Sequence, residues 1–362
     1  MNSLRVSVVI PSYNRAALVG ETIENMLRQT LPPHEVIVVD DGSTDNSVEV
    51  IKAFGDRVRL IQQPNRGPGA ARNAGFAVAT CDYIQFMDSD DLASLNKLEV
   101  QAEALRSQQA DLAYGPWIQL SLTQRTVSQM KDVLQPAPVP AELSLCEWHL
   151  RGWTPVLQNC LFTRSFLNRL GPLKEDLLGT EDYEFLNRIF LAKPKVAFTP
   201  DCAVFYRLHD AGKLSGSGTT SPQKLEHLAR AVGYIHANLG HETGALKSGT
   251  RFIFGWRAWQ LWREMSATGG FSPERMEQTR QIFTGYPAVA FRAFGVWSRV
   301  ATAVRGRLTG NTWLPPYRAR RIGTHELDLM REAGLTFDAK EISQPAVSAE
   351  SQKKYRDVQS DV

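Results

Sequence analysis

Three aspartates crowd into four positions at Asp88, Asp90 and Asp91, directly after the apolar run Tyr83–Met87. The run is typical of a buried strand, and carboxylates packed at the end of such a strand repel one another and raise each other's pKa. A bound cation would relieve that repulsion. Asp88 and Asp90 are two positions apart, so on an extended backbone they share a face, whereas Asp91 points elsewhere and supports the next turn.

Two carboxylates on one face offer the hard oxygen ligands that Mg²⁺ and Mn²⁺ prefer. The sequence therefore predicts a divalent metal site at Asp88 and Asp90. The alternative is a set of N-cap residues for the following helix, although a single Asp is enough for a cap.

Three more polar clusters follow apolar runs upstream: PSYNR at Pro11–Arg15, DDGSTD at Asp40–Asp45, and NRGPGAARNAG at Asn65–Gly75. Ligands of open parallel sheets bind outside the carboxyl ends of the strands, so all these clusters should meet at one edge. The first cluster has no glycine and the chain has no GK[ST], which excludes a dinucleotide fingerprint and a P-loop. A diphosphate at this edge would need another source of positive charge.

The elements that position these clusters alternate in type, which predicts an α/β fold: a Rossmann-like, mostly parallel sheet with helices on both faces. The predicted strands are Arg5–Ile10, Glu35–Asp41, Val58–Gln63, Tyr83–Asp88 and Asp111–Leu120. The predicted helices are Ala16–Thr30, Ser43–Phe54, Gly69–Thr80 and Leu95–Gln109.

The later chain is less regular. Residues 121–140 read as a loop or an inserted excursion, because the hydrophobic pattern weakens and prolines appear. A helix opens at Thr180 with Glu181 and Asp182 in its first turn, and one or two strands lead to His209. We expect a catalytic domain over residues 1–220, a helical, basic and aromatic region over 221–336, and a disordered tail over 337–362.

Charge and composition exclude several function classes. The formal net charge is only +3, and no nucleic-acid-binding module is recognisable, so no nucleic-acid partner is expected. The four cysteines lie far apart, without CxxC spacing, which indicates reduced thiols in a cytoplasmic protein. No apolar run has the length of a signal peptide core or of a spanning helix.

Residues 245–321 carry one Lys and twelve Arg against three Glu, a surplus of +10, with aromatic residues interleaved at helical spacing. Two interpretations stay open. The helices pack their aromatic residues onto the catalytic domain and leave the arginines in water, or they lie as an amphipathic surface on an anionic membrane. The second interpretation places the protein peripherally at the inner face of the membrane.

Taken together, SVVIPSYNR, VIVVDDGSTDNS, NRGPGAARNAG and FMDSDD, in this order and spacing, resemble the inverting family 2 glycosyltransferases of the GT-A fold. GTEDYEFLNRI and YRLH extend the resemblance, which covers about residues 5–215. It implies a nucleotide-sugar donor, and by family tendency alone the expected base is uracil. The expected acceptor is a hydroxyl of a glycan or of a lipid-linked molecule.

The resemblance also implies roles for the nucleotide side of the site. Asp41 would accept a hydrogen bond from the pyrimidine ring nitrogen, Tyr13 would stack on the base, Pro11 would shape the turn, and Arg72 would face the nucleotide. Two of these residues have a structural alternative. Asp41 could bond its own loop backbone, as Asx turns do, and Arg72 could pair with acids.

For the reaction itself, the resemblance implies that Asp88 lies near ribose and metal, that Asp90 binds the metal, and that His209 is a further metal or diphosphate contact. Asp182 would be the general base, with Glu181 as the alternative. Taken alone, Asp182 is also explained by the preference for acids in a helix first turn.

The resemblance thus implies metal-assisted single displacement with a carboxylate base, and the chemistry of these residues is consistent with it. A catalytically silent nucleotide-sugar-binding protein is the alternative, and the intact acids count against it. A nucleotidyltransferase is the third hypothesis, although PSYNR lacks the glycine-rich basic turn of that class.

Overall fold

The structure is a computed structural model of the 362-residue chain. It describes residues 4–123, 125–134, 137–139, 141–208, 221–240, 246–284, 290, 292, 319–320 and 322–337.

The described strands are β1 (Val6–Ser12), β2 (Glu35–Asp40), β3 (Arg59–Gln62), β4 (Tyr83–Phe86), β5 (Leu92–Ala93), β6 (Leu112–Tyr114), β7 (Trp117–Thr123), β8 (Thr126–Leu134), β9 (Cys160–Thr163), β10 (Val196–Phe198), β11 (Val204–Leu208), β12 (Ala319–Arg320) and β13 (Thr336–Phe337). The described helices are α1 (Val19–Leu27), α2 (Ser47–Lys52), α3 (Pro68–Val78), α4 (Lys97–Gln108), α5 (Leu145–Leu150), α6 (Arg164–Leu170), α7 (Glu181–Leu191), α8 (Pro222–Leu239), α9 (Ser248–Thr268), α10 (Pro273–Gln281) and α11 (Thr324–Glu332).

The main sheet has the order β10-β6-β9-β4-β1-β2-β3. Strands β3, β2, β1 and β4 are mutually parallel, and β9 runs antiparallel to both of its neighbours. Every residue of β1 is buried, as expected for a central parallel strand covered on both faces. Val9 enters one core cluster, whereas Val8 and Ile10 enter another on the opposite face. The predicted α/β sheet is confirmed.

Helix α3 packs unusually close to the sheet because its contact face is made of small residues. A Cβ at Gly75 would lie 2.4 Å from Val9 Cγ1 and 3.2 Å from Val39 Cγ2. Such a distance is far inside van der Waals contact, so this position needs glycine. Pro68 starts the helix, where its missing N–H costs nothing. The close packing brings the side chains of α3 to the carboxyl edge of the sheet.

A second sheet has the order β12-β8-β7-β11-β5, with β13 also paired to β8. Of the two readings of 121–140, a loop or an inserted excursion, the loop is wrong, because β7 and β8 pair there as an antiparallel hairpin. The predicted fifth strand is in fact two strands, β6 and β7, in different sheets. Pro116 has no N–H to donate to a strand ladder. At Gly115, a Cβ would lie only 2.8 Å from the Thr199 carbonyl oxygen, so the backbone needs glycine there.

Helices α8, α9 and α10 form the helical region that the sequence predicted. Leu225, Ile235, Phe254 and Met265 from these helices share one core cluster with Phe185 of α7. The region also contributes to the second sheet: β12 and β13 pair with β8, and α11 covers the core beneath them. Among the described helices, none has the length and apolar character needed to cross a membrane.

The predicted tail falls almost wholly on residues 338–362, which lie outside the described part of the chain. Cys81, Cys146, Cys160 and Cys202 are all buried, and none of them forms a disulfide in the structure.

Candidate functional site

The segment DSDD, residues Asp88–Asp91, joins the two sheets. Strand β4 of the main sheet ends just before it, and β5 of the second sheet begins just after it. Its backbone turns rather than extends: the Asp91 N–H donates to the Asp88 carbonyl at 3.2 Å. The expectation that Asp88 and Asp90 share a face through extended backbone is therefore wrong. The turn nevertheless gathers the carboxylates, because one ligand atom each of Asp88, Asp90 and Asp91 lies within 4.8 Å of the others.

Two arginines from the upstream clusters reach this turn. Arg15 Nε lies 3.0 Å from Asp90 Oδ2, and Arg72 Nη2 lies 2.7 Å from Asp88 Oδ1. The Asp88 and Asp90 side chains are 28% and 20% exposed, so both still face the solvent at the sheet edge. The predicted convergence of PSYNR, NRGPGAARNAG and DSDD is confirmed, and the two guanidinium groups offset part of the carboxylate repulsion.

Asp91 differs from its neighbours because it is buried and both of its oxygens are engaged. The Arg207 N–H donates to Oδ1 at 2.9 Å, and Gln158 Nε2 donates to Oδ2 at 2.6 Å. Burial, with the nearby charges of Asp90 and Asp88, raises the pKa of Asp91 well above its usual range. Asp91 thus supports the turn, as the sequence predicted.

These carboxylates suit a hard divalent cation. All the candidate ligand atoms are oxygens and they are close enough to share one ion, which fits Mg²⁺ or Mn²⁺. Asp88 and Asp90 are the accessible pair, whereas Asp91 is committed to protein donors. His209, the third predicted ligand, lies outside the described residues.

Asp41 anchors the loop that leads into α3. Its carboxylate accepts from the N–H groups of Arg66 at 2.9 Å and Gly67 at 2.8 Å, and from Gln63 Nε2 at 2.7 Å. These bonds join Asp41 to the segment before α3, 22 to 26 positions away, and differ from the Asx turn within its own loop that was the structural alternative. The preceding Asp40 is also buried and accepts from the Ser43 N–H at 3.1 Å, while its Oδ1 is buried without a hydrogen-bond partner.

Tyr13 is the one large hydrophobic side chain of the described residues that is well exposed, at 43%. It follows β1, which contains the buried Pro11. The next residue, Asn14, has a φ of +50° and accepts from the Thr44 N–H at 2.8 Å. This bond ties PSYNR to DDGSTD and leaves an aromatic ring at the sheet edge.

The first turn of α7 carries the two candidate bases. Glu181 is buried, with Oε1 held by Arg72 Nη1 at 2.8 Å and Oε2 buried without a partner. Asp182 is half-buried, and its Oδ1 accepts from the Tyr183 N–H at 2.7 Å. Burial and then the Glu181 charge raise the pKa of Asp182 to about 7, against the opposing charge of Arg72.

Arg72 connects α7, the helix that carries the two candidate bases, with the acidic turn at Asp88–Asp91. It donates to Asp88 through one Nη and to Glu181 through the other, and it is only 6% exposed. Burial lowers the pKa of Arg72, but the charges of Asp88 and Glu181 outweigh it and raise the pKa above its usual value. Glu184 does not join this group, because it pairs with Arg188 and accepts from Asn238.

Sequence reasoning missed three residues that shape the site: Arg15, Gln158 and Arg207. Arg15 is the last residue of the PSYNR cluster, and the sequence pattern assigned no function to it. Arg207 stands two positions before His209 in YRLH. Gln158 carried no sequence signal, since its partner Asp91 is 67 positions away.

Comparisons with known proteins concern the sequence and the fold of the same part of the chain. Residues 7–170 match the family model described as glycosyl transferase family 2. Glycosyltransferase GlyG of Streptococcus pneumoniae is 42% identical over 114 residues, covering 30% of this chain and 38% of GlyG. An uncharacterized glycosyltransferase of Bacillus subtilis, EpsJ, is 36% identical over 214 residues, covering 56% of this chain and 60% of EpsJ. The chain thus spans less than two thirds of the length of these relatives.

Solved structures similar to this chain include S. aureus TarS 1-349. Its complex with UDP-GlcNAc aligns with a TM-score of 0.55 at 22% identity, over 77% of this chain and 79% of that one. Its complex with UDP aligns with a TM-score of 0.51 at 21% identity, over 72% of each chain. This likeness concerns the fold, and it confirms the predicted GT-A architecture.

The resemblance noted in the motifs is therefore confirmed by independent matches in sequence and in fold. The family match covers the acidic turn at Asp88–Asp91 and every strand of the main sheet except β10. Residues 7–170 therefore form a domain that matches glycosyl transferase family 2.

Proposed function

We propose that this protein is an inverting glycosyltransferase that moves a sugar from a nucleoside diphosphate donor to an acceptor hydroxyl. One observation carries the proposal: a single buried guanidinium, that of Arg72, contacts both Asp88 of the acidic turn and Glu181, next to the candidate base. A donor-binding edge and a proton acceptor are thereby held in one rigid unit. Transfer by single displacement needs that arrangement, since the leaving group and the nucleophile act on opposite sides of one carbon.

Asp182 acts as the general base in this proposal. A hydroxyl is a poor nucleophile, and a carboxylate within hydrogen-bond reach takes its proton as the oxygen attacks the anomeric carbon. The bond from that carbon to the diphosphate oxygen breaks, and the nucleoside diphosphate leaves with the electron pair. A pKa of about 7 suits this role, because the base is substantially ionised at neutral pH yet still basic.

The donor is a UDP-sugar. Support comes from the fold, since the S. aureus TarS structures that align with this chain include complexes with UDP and UDP-GlcNAc. The exposed ring of Tyr13 suits stacking on a pyrimidine. Asp40 pairs with Ser12 across β2 and β1, and the Asp41 N–H donates to the Ser12 carbonyl, so both acids are next to the residue before Tyr13, and either carboxylate suits the ring N–H of uracil.

Asp88 and Asp90 would hold Mn²⁺ or Mg²⁺ in the working enzyme, with His209 as a further ligand. When bound, the cation stabilises the negative charge that the diphosphate gains as it leaves. Arg15 and Arg72 keep the two carboxylates oriented. Arg72 also donates to Glu181, so a shift of Asp88 in the turn would alter the position of α7.

The acceptor is a hydroxyl of a glycan or of a lipid-linked molecule at the cytoplasmic face of the membrane. Contact with an anionic membrane through residues 245–321 belongs to this proposal. In the described part of that region, Phe254 and Trp259 are buried, whereas Arg251 and Arg263 are exposed. Such a distribution favours attraction by surface charge over deep insertion of aromatic residues.

The test is a thermal-shift screen of nucleotide sugars with and without Mn²⁺, followed by an assay of nucleoside diphosphate release with glycan acceptors. We expect a UDP-sugar to stabilise the full chain, and the product anomer to be opposite to that of the donor by NMR. Stabilisation without any release would identify a silent binding protein. Pyrophosphate release from a nucleoside triphosphate and a sugar phosphate would identify a nucleotidyltransferase.

A further inference from the structure

Arg207 of β11 is a buried arginine whose whole guanidinium is engaged. It is 3% exposed. Nε donates to the Asp90 carbonyl, Nη1 donates to Glu21 Oε2 at 2.5 Å, and Nη2 donates to Thr22 Oγ1 at 3.1 Å and to the Leu18 carbonyl at 3.3 Å. Its backbone N–H donates to Asp91 Oδ1 at 2.9 Å. One residue thus joins β11 to the acidic turn and to α1.

Thr22 of α1 completes this connection. Its hydroxyl accepts from Arg207 and donates to the Asp91 carbonyl at 2.9 Å. The backbone carbonyls of Asp90 and Asp91 are therefore both held by this pair of side chains. A peptide group fixed at each of two successive residues leaves the turn little freedom to rotate its carboxylates.

The opposite side of the turn is held as well. Gln158 donates to Asp91 Oδ2 at 2.6 Å, and its own carbonyl accepts from Gln85 Nε2 of β4 at 3.0 Å. Asp91 is consequently locked between two sheets. Arg207 and Gln158 occupy both of its oxygens, so Asp91 serves the turn and leaves Asp88 and Asp90 as the accessible carboxylates.

We propose that Arg207 is a positioning residue for the divalent cation: its contacts with Asp90, Asp91 and α1 fix the turn that presents Asp88 and Asp90. The proposal rests on the proposed metal-assisted function. Arginine is required because its planar fork reaches a carbonyl, a carboxylate and a hydroxyl at once, which the point charge of lysine cannot reproduce. Residues that orient metal ligands typically contribute about 10–100-fold to metal affinity.

The experiment measures Mn²⁺ binding to the full chain directly, by isothermal titration calorimetry without donor. We expect Arg207→Lys to weaken Mn²⁺ binding by about tenfold or more, and excess Mn²⁺ to restore the rate of UDP release. Arg188 provides a matched control, because it also pairs with a glutamate and donates to two backbone carbonyls, away from the turn. Arg188→Lys should leave Mn²⁺ affinity within about twofold, since it touches no residue that orients the ligands.

A second variant guards against misfolding of Arg207→Lys. Thr22→Val keeps the shape of the side chain and removes both hydroxyl bonds, so it should also weaken Mn²⁺ binding while circular dichroism stays unchanged. Unaltered Mn²⁺ affinity in the folded variants, with normal binding by the parent protein, overturns the positioning role alone. A parent protein that binds no Mn²⁺ with or without UDP overturns the metal-assisted function as well.

Discussion

Arg72 and Glu181 form a buried ion pair across 109 positions of the chain, with Nη1 and Oε1 2.8 Å apart. The other Nη of Arg72 lies 2.7 Å from Asp88. A buried charge is stable only while it stays paired and hydrogen-bonded. The two halves of the site are therefore coupled: neither α3 nor α7 can shift without leaving a charge uncompensated.

Replacing Arg72 should damage stability and activity together. Arg72→Met leaves Glu181 buried and unpaired, and breaking such a pair costs about 3–5 kcal/mol of unfolding free energy. Urea denaturation measures that loss. Arg72→Lys retains one charge but cannot bridge two carboxylates, so we expect a folded protein with reduced kcat for UDP release.

The control for Arg72 is Arg106, which pairs with Glu103 on the exposed face of α4. Surface pairs of this kind contribute little, so Arg106→Met should change neither the unfolding midpoint nor kcat. Equal effects of the two substitutions would contradict the bridging role of Arg72.

Asp182→Asn tests the general base. Removing a general base slows the chemical step by about 10²–10⁴-fold, whereas UDP binding measured by calorimetry should persist. In the parent protein, kcat/KM should rise with pH through about 7 and then level, because the base works when it is deprotonated. Unchanged kcat in the variant would move the base to Glu181.

The raised pKa of Asp182 also predicts how stability depends on pH. A carboxyl whose pKa is higher in the folded than in the unfolded protein favours folding at low pH, and that contribution is lost as pH rises from about 4 through about 7. Asp182→Asn removes the titrating group and therefore this pH-dependent loss of stability. The variant should therefore gain stability over the parent protein at pH 8 and show no such gain at pH 4, as measured by urea unfolding.

Asp40 and Asp41 should separate nucleotide binding from loop anchoring. Arg66 and Gly67 donate to different oxygens of Asp41, so in Asp41→Asn the amide nitrogen faces one of these two N–H groups, which costs about 1–3 kcal/mol through an unmade hydrogen bond. Asp40→Asn disturbs fewer protein contacts, because Oδ1 has none. We expect Asp41→Asn to lower the unfolding midpoint, and Asp40→Asn to weaken UDP binding at an unchanged midpoint.

Most of the site's location followed from the sequence, because polar clusters after buried strands must meet at the sheet edge. The hydrogen bonds and ion pairs within the site could not be predicted from the sequence, because each of the important ones joins residues far apart in the chain. Gln158 and Asp91 are 67 positions apart, and Arg207 and Asp90 are 117 apart. The β7–β8 hairpin was missed for a different reason: one face of it is covered by α11, so its hydrophobic pattern depends on residues far along the chain.

Gly75 tests the close packing that brings Arg72 to the edge. Alanine favours a helix over glycine by about 1 kcal/mol, but here its Cβ would meet Val9 Cγ1 at 2.4 Å. Overpacking a rigid core costs about 1–3 kcal/mol, so Gly75→Ala should lower the urea midpoint and reduce UDP release. Gly233→Ala in α8 is the matched control, because its Cβ would meet nothing within 4 Å. That variant should gain stability, and adding Val9→Ala to Gly75→Ala should recover part of the loss; a stabilising Gly75→Ala would show that α3 can move away from β1.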